Sequence, residues 1–258
     1  MKGNARIIVF VAIVLLIIVI VLLNMTLFTV NSITVLNEVE SQLIDEQSII
    51  TNSNIRIGSN IFLLSEKKSR EQIEITHPYL EVKNIERVFP NKVVIHVSVR
   101  IPLMAIKIRD AELYAVIDSS LKILQIIDAN NSIYHTCTKV TGLEVGNPVV
   151  GNFLDVSNSY NSKLSVISNV ANNESLNGIA FLNFFEKIDF NTDNDIVNIK
   201  LRSGVTICLK DSNDYEEKFR YALEAYRLYG EQSAKRTYGY IYHDKTEKAW
   251  VWQETYPY

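Results

Sequence analysis

Hydrophobic and polar positions divide the chain into stretches of different period. Residues 7–23, IIVFVAIVLLIIVIVLL, are seventeen apolar positions in a row, and NMTLF carries the run to Phe28. At ~1.5 Å per residue the segment 7–28 reaches about 33 Å, close to the ~30 Å hydrocarbon thickness of a bilayer. The pattern predicts one spanning helix. Its rival is a cleaved signal peptide, which needs an apolar core of ~7–15 residues and then a small-x-small site, and no such site stands near residue 24. Beyond the run, TVNSITVLN (29–37) has period-two apolar character at Val30, Ile33 and Val35, a strand. Asn37 and Glu40 have capping-box spacing, with Val39, Leu43, Ile44 and Ile50 on one helical face. Gly58 marks a turn, Ser65 caps a short polar helix (EKKSREQIEIT), and Pro78 closes it. Residues 80–88 and 92–99 alternate around Phe89-Pro90-Asn91, a hairpin. The order is β-α-α-β-β.

From Leu103 the pattern is mostly strand. IKIR, LYAVID and LKILQII are β-rich runs broken by RDAE and by Asp118-Ser119-Ser120, which predicts an antiparallel meander. The Asn- and Ser-rich stretch 152–177 holds Leu164, Val166, Ile167 and Val170 at helical spacing. IVNIKLRSGVTICLK predicts a hairpin at Ser203-Gly204. Asp214 and Glu217 have capping-box spacing before a helix with Tyr215, Phe219, Ala222, Leu223, Tyr226 and Tyr229 on one stripe and Gly230 as its stop. GYIYHDKTEKAWVWQ predicts a last hairpin through Asp244 to Thr246. The fold class expected is α+β: one N-terminal membrane helix, a compact β-α-α-β-β unit, then a mainly antiparallel β domain with a late helix.

Charge orients this arrangement. Lys2, Arg6 and the α-amine precede the apolar run, and Glu38 and Glu40 are the first charges after it, so the positive-inside rule keeps the N-terminus cytoplasmic. The expectation is a six-residue tail (1–6) inside, a span over 7–28, and the remainder outside, as a single-pass type II protein. The whole chain of 258 residues has 26 basic and 29 acidic residues, net −3; without Lys2 and Arg6 the exported part is −5. Such a balance excludes a nucleic-acid binder. With 47% apolar content the chain is not disordered as a whole.

Candidate chemistry is sparse. His77, His96, His135 and His243 have no partner at metal-ligand spacing, so neither a metal nor a cofactor is indicated. Cys137 and Cys208, both in strand-like runs, fit either two buried thiols or a disulfide, which an extracytoplasmic compartment permits. The enzyme alternative is a penicillin-recognising serine acyl-transferase, since Ser65-Glu66-Lys67-Lys68 is an S-x-x-K and Ser159-Tyr160-Asn161 an S-x-N. Its third motif fails: Lys245-Thr246 is followed by Glu247 where glycine would let substrate approach. A second S-x-x-K, Ser119 to Lys122, shows how readily the pattern arises. What stands out instead is the tail, with Tyr238, Tyr240, Tyr242, Trp250 and Trp252 on one expected hairpin. Two readings are open: inward packing of a strand face, or an edge strand that offers its main chain and its aromatics to a partner.

HPYLEVKNIERVFPNKVVIHVSVRIPLMA (His77 to Ala105) resembles the end of the POTRA domain of the bacterial cell-division family FtsQ/DivIB. The motif positions are Pro78, Tyr79, Ile85, Arg87, Pro90, Asn91, Ile95, Val97, Arg100, Pro102 and Ala105; Val99 stands where relatives commonly carry glutamate. Gly58, Asn60 and the rest of GSNIFLL are similar to the family's G-x-N-I-F-x-L turn. YAVIDSSLKIL and TKVTGLEVGNPVVG resemble its later segments. The resemblance implies a POTRA domain at 29–101 and a β domain at 102–258. It further implies a non-enzymatic divisome scaffold at the septum, which regulates septal peptidoglycan synthases through FtsB/DivIC-like and FtsL-like partners. The partner would add a strand at the last hairpin, where Tyr240, Tyr242, Trp250, Val251 and Trp252 fall.

Overall fold

The computed structural model describes residues 2–37, 45–155, 158–210, 214–231 and 237–258. They fall into two compact units, Met1–Arg100 and Ile101–Tyr258.

The first unit begins with helix α1 (Lys2–Thr26). Among the described residues no helix is long and apolar enough to cross a membrane, the side chains of α1 being described as an unbroken run only over Val9–Leu22. The backbone of α1 continues through 25 residues, and the large apolar side chains of that run are exposed. After it come β1 (Ser32–Asn37), α2 (Glu46–Asn52), a 3-10 turn at Ile61–Leu63, α3 (Glu66–Thr76), β2 (Leu80–Val88) and β3 (Lys92–Val99). The sheet order is β1-β3-β2, with β1 parallel and β2 antiparallel to β3. A parallel neighbour needs a long crossover, and the chain passes through α2, α3 and β2 before β3 pairs with β1. Ile49 of α2 and Ile73 of α3 meet Val82, Ile85, Val93, Ile95 and Val97 in one core, all buried. The two hairpin strands have the bounds that alternation predicts.

The helix expected after β1 is described only in part. Val39, Leu43 and Ile44 lie outside the described residues, and the described helix starts only at Glu46, where the Ser48 N–H donates to Asp45 Oδ1 at 3.1 Å. Ser65 caps α3 as predicted, accepting the Lys68 N–H at 3.5 Å.

The motif residues of this unit are fasteners. Gly58 turns at φ +84°, and Asn60 Oδ1 accepts the Phe62 N–H at 2.8 Å. Arg87 donates from Nη2 to Leu64 O at 2.9 Å and pairs with Glu66 at 3.0 Å, tying β2 to the start of α3. The Phe89–Pro90 peptide is cis, and Asn91 O accepts the Asn31 N–H at 2.7 Å. Tyr79 O accepts the Arg100 N–H at 2.8 Å, directly after Pro78 ends the helix segment. Arg100 also donates from Nε to Leu80 O at 3.0 Å and from Nη2 to Glu74 Oε2 at 3.1 Å. Glu74 Oε1 takes the Val82 N–H at 3.1 Å. Both side chains are nearly buried, so each charge is tolerable only because the other is there. With Val99 preceding it, Arg100 draws its carboxylate from α3.

The second unit is one sheet. Its elements are β4 (Met104–Ile108), β5 (Leu113–Ile117), β6 (Ile123–Asp128), α4 (Ser132–Thr136), β7 (Thr138–Val145), α5 (Asn158–Asn173), α6 (Gly178–Phe184), β8 (Phe185–Asn191), β9 (Ile196–Leu201), β10 (Val205–Lys210), α7 (Tyr215–Tyr226), β11 (Gly239–Asp244) and β12 (Ala249–Gln253). The nine strands run β12-β11-β10-β9-β8-β7-β4-β5-β6. Five neighbouring pairs are antiparallel and three parallel, namely β4–β7, β7–β8 and β10–β11. The architecture is mixed α+β with a large sheet and a late helix. Leu164, Ile167, Phe181, Phe219 and Leu223 of the three long-range helices pack on Ile106, Ile188, Ile199, Ile207 and Ile241. On the opposite face Ala105, Val116, Ile127 and Cys137 are closed over by Tyr114, Ile133 and Tyr134.

Three expectations for this unit are corrected. Asp214 sits at φ 58°, ψ 37° and its side chain makes no cap hydrogen bond, because a capping side chain needs extended backbone to reach back to the helix amides. Gly230 does not stop the helix, which continues as a π-type turn over Arg227–Glu231; the wider turn rotates the stripe and leaves Tyr229 exposed. Cys137 is not in a strand but caps α4, its N–H donating to Ile133 O at 3.1 Å. It and Cys208 are free and buried, and burial pushes the thiols up to about 11 and about 12.

Two outcomes follow. A thiol is nucleophilic as thiolate, so at pH 8 iodoacetamide should leave both cysteines unmodified in the folded protein and label both in denaturant, as mass spectrometry would report. Arg100→Ala strands the Glu74 carboxylate and should cost about 3–5 kcal/mol, read as lost amide-exchange protection across β2 and β3.

Candidate interaction surface

The terminal hairpin is placed by its neighbours. β11 adds in parallel to β10, with Val205 opposite Gly239 and Cys208 opposite Tyr242, and β12 folds back antiparallel on β11. β12 therefore ends the sheet, and its far side meets no strand among the described residues. The other edge, β6, is partly covered: Gly151 donates to Ile123 O and Ile123 to Asn152 O, each at 2.8 Å. An uncovered strand edge is a row of N–H and C=O groups that another chain can pair.

Register sorts the aromatic residues onto two faces. Trp252 lies opposite Ile241 and Trp250 opposite His243, so both tryptophans share the face that packs on the core beneath α7. Both are half-buried. Trp252 donates from Nε1 to Tyr238 O at 3.1 Å and meets the Tyr238 ring edge-on, while Trp250 meets His243 in the same way. A Cβ at Gly239 would stand 2.7 Å from the Trp252 indole, and φ there is +103°. The indole fits only because residue 239 is glycine. The packing reading thus accounts for one side of each tryptophan, and the edge position leaves the other side at the rim.

Tyr240, Tyr242 and Val251 belong to the second face, all half-buried. There the residues after β12 fold back over the sheet: Tyr256 packs on Tyr240 at 5.4 Å and Tyr258 on Tyr242 at 6.0 Å between ring centres. Asn198 Nδ2 donates to Tyr256 Oη at 3.3 Å, and Lys210 Nζ lies 4.7 Å from the Tyr258 ring centre. Tyr242 donates to Gln253 Oε1 at 3.0 Å, and burial, then Asp244 and Glu247, raise its phenol above the ordinary value. The turn joining the strands is held by Asp244, whose carboxylate takes the N–H groups of Glu247 and Thr246; these bonds lower its pKa. Sequence reasoning missed Gly239, Asn198, Lys210, Tyr256 and Tyr258. The Tyr-Pro-Tyr ending was the one available signal for the last pair.

The serines and lysine of the acyl-transferase motifs serve local structure where they are described. Ser65 serves as a helix cap, Ser119 is an exposed turn residue between β5 and β6, and the Ser159 side chain lies outside the described residues. Lys245-Thr246-Glu247 forms the hairpin turn rather than a strand. A concavity of about 520 Å³ opens where β7 bulges against β4, lined by Lys107, Arg109, Tyr114, Tyr134, Lys139 and Glu144 among others. Lys107 bonds Glu112 at 3.1 Å, and Lys139 sits 3.9 Å from the Tyr134 ring centre. Among the described residues no three His, Cys, Asp or Glu side chains could hold a metal.

Comparison with known proteins adds two findings. The family described as "POTRA domain, FtsQ-type" matches residues 28–99. Cell division protein DivIB of Clostridium tetani is 26% identical over 197 residues, covering 74% of this chain and 68% of its own.

The glycine gives a direct test of the hairpin. Gly239→Ala should displace the Trp252 indole, red-shift tryptophan emission and destabilise the unit by about 1–3 kcal/mol, the usual range for overpacking, in a urea titration.

Proposed function

The chain belongs to the FtsQ/DivIB family, and on that footing we propose that it is a non-catalytic, single-pass scaffold of bacterial cell division that works outside the membrane. In this reading α1 is the span, with Lys2 and Arg6 on the cytoplasmic side. The POTRA domain over 29–101 holds the chain near the membrane and helps target it to the septum. The β domain over 102–258 recruits FtsB/DivIC-like and FtsL-like partners and, through them, regulates the septal peptidoglycan synthases.

The observation that carries the proposal is the position of β12. A strand with one side paired and the other open can take a partner strand by main-chain hydrogen bonds, while alternate side chains supply selectivity. Trp250 and Trp252 contribute large, rigid contact area at the rim of one face, and Val251 on the other face completes the alternation. Tyr240 and Tyr242 stand one strand inward and back the edge. Net negative charge outside the membrane then acts on encounter rate and partner choice more than on affinity.

Amide exchange on the ectodomain with and without the extracytoplasmic segment of the FtsB/DivIC-like partner tests this. Residues 249–253 should gain protection on binding, and Trp252→Ala should weaken the complex by about 10- to 30-fold, a typical hot-spot loss, with unchanged circular dichroism. Protection gained elsewhere and not on β12 would remove the site assignment.

A further inference from the structure

We propose that the apolar turns around the exit of α1, carrying Leu27, Phe28, Ile57, Phe62, Leu63 and Phe89, rest in the headgroup layer of the bilayer on the extracytoplasmic side. The first unit would then be held on the lipid surface as well as tethered to it. The inference rests on the reading of α1 as a membrane span.

Three segments meet at the helix exit. Val30 donates to Ser59 O and Gly58 to Val30 O, each at 2.8 Å, Ile61 donates to Phe28 O at 2.9 Å, and Asn31 to Asn91 O at 2.7 Å. Thr29 and Asn60 form a β-bridge. The 57–63 turn and the 88–91 hairpin turn are thereby fixed to the residues that leave α1. The Phe28 ring lies 5.1 Å from Phe62 and 6.3 Å from Phe89, and those two are 5.3 Å apart. Phe28 is half-buried against the core, but the two rings packed on it face outward: Phe62 is 50% and Phe89 55% exposed, Leu63 is 84% exposed, and Leu27 and Ile57 are exposed as well. Contiguous exposed apolar surface marks an interaction site.

Geometry selects lipid as the occupant. Phe28 is two residues beyond Thr26, the last residue of α1, so a fully extended chain puts it at most about 7 Å further on. A bilayer adds roughly 5–7 Å of headgroup layer to each side of its hydrocarbon core. If the apolar run fills the core, Phe28 and the rings packed on it fall in that layer, where aromatic side chains concentrate. Charge agrees. Residues 27–31, 57–63 and 88–91 contain no Asp, Glu, Lys or Arg, whereas exposed Arg56 and Lys92 flank two of the segments, suited to lipid phosphates. A turn that met only water would have little use for Phe-Leu at 62–63 and Phe at 89.

The test uses the full chain in phosphatidylcholine/phosphatidylglycerol vesicles carrying nitroxide lipids. A single NBD label is placed through Leu63→Cys, Leu15→Cys or Glu81→Cys, the native thiols being buried and unreactive. Glu81 lies roughly 25 Å along β2 from the Phe89 turn. The expected result has headgroup nitroxides quenching the label at 63 at least about threefold more than that at 81, with the label at 15 quenched best by deep nitroxides. A label at 63 that stays unquenched while that at 15 is quenched overturns the proposal and leaves the span intact. Blue-shifted emission at 63 without quenching means that protein covers the patch, and it too overturns the proposal. No quenching at 15 removes the span reading, and the proposal falls with it.

Discussion

The parallel docking of β11 on β10 is the constraint on which the rest of the second unit depends. A chain leaving β10 cannot reach a parallel neighbour through a tight turn, so it must travel back along the sheet before pairing again. α7 makes that journey, and in doing so it lays Phe219, Ala222, Leu223 and Tyr226 across the strands it connects. Burying side chains of this kind stabilises by about 1.5–3 kcal/mol for each large one. The hairpin that follows is therefore built onto a finished core, and β12 has no place left except the edge.

Edge strands are hazards unless they are used or guarded. Here the two ends of the sheet are treated differently. β6 is met by the 151–154 segment, whereas β12 is held by β11 and from its two faces, and its outer side meets no strand among the described residues. The tryptophan face is fastened by Ile241, Gly239 and the indole-to-Tyr238 hydrogen bond, the tyrosine face by Tyr256 and Tyr258. Side-chain packing thus rigidifies the hairpin without consuming its outer main-chain groups. A rigid edge loses less conformational entropy on pairing than a loose one.

The first unit solves a different problem, joining an apolar helix to a small sheet. Residues 27–31 are shared between the helix exit, the Gly58 turn and the Asn91 turn, so the connection is braced by backbone hydrogen bonds rather than left as a linker. At the other end of the sheet the Glu74–Arg100 pair seals the junction of α3 with β2. Many family-motif positions, Gly58, Asn60, Pro78, Tyr79, Arg87, Pro90, Asn91 and Arg100, sit at these turns and fasteners; Pro102 follows in the connection to β4.

How much was legible follows from range. Strands 80–88 and 92–99, the Ser65 cap, the Ser203-Gly204 hairpin and the buried stripe of α7 were all readable, because alternation, capping and turn chemistry are set by residues within a few positions of each other. The family likewise showed in local motifs. The failed Asp214 cap, the π turn past Tyr226 and the unannounced α6 and β8 were not readable, since tertiary packing overrides weak local preference there. Trp250 and Trp252 show the division best. Their spacing alone put them on one face of a strand, a matter of covalent geometry and pleat. That this face looks onto α7, that the tyrosines face away under the C-terminal residues, and that the strand is the sheet's edge depended on contacts between residues far apart in the chain, which no local pattern encodes.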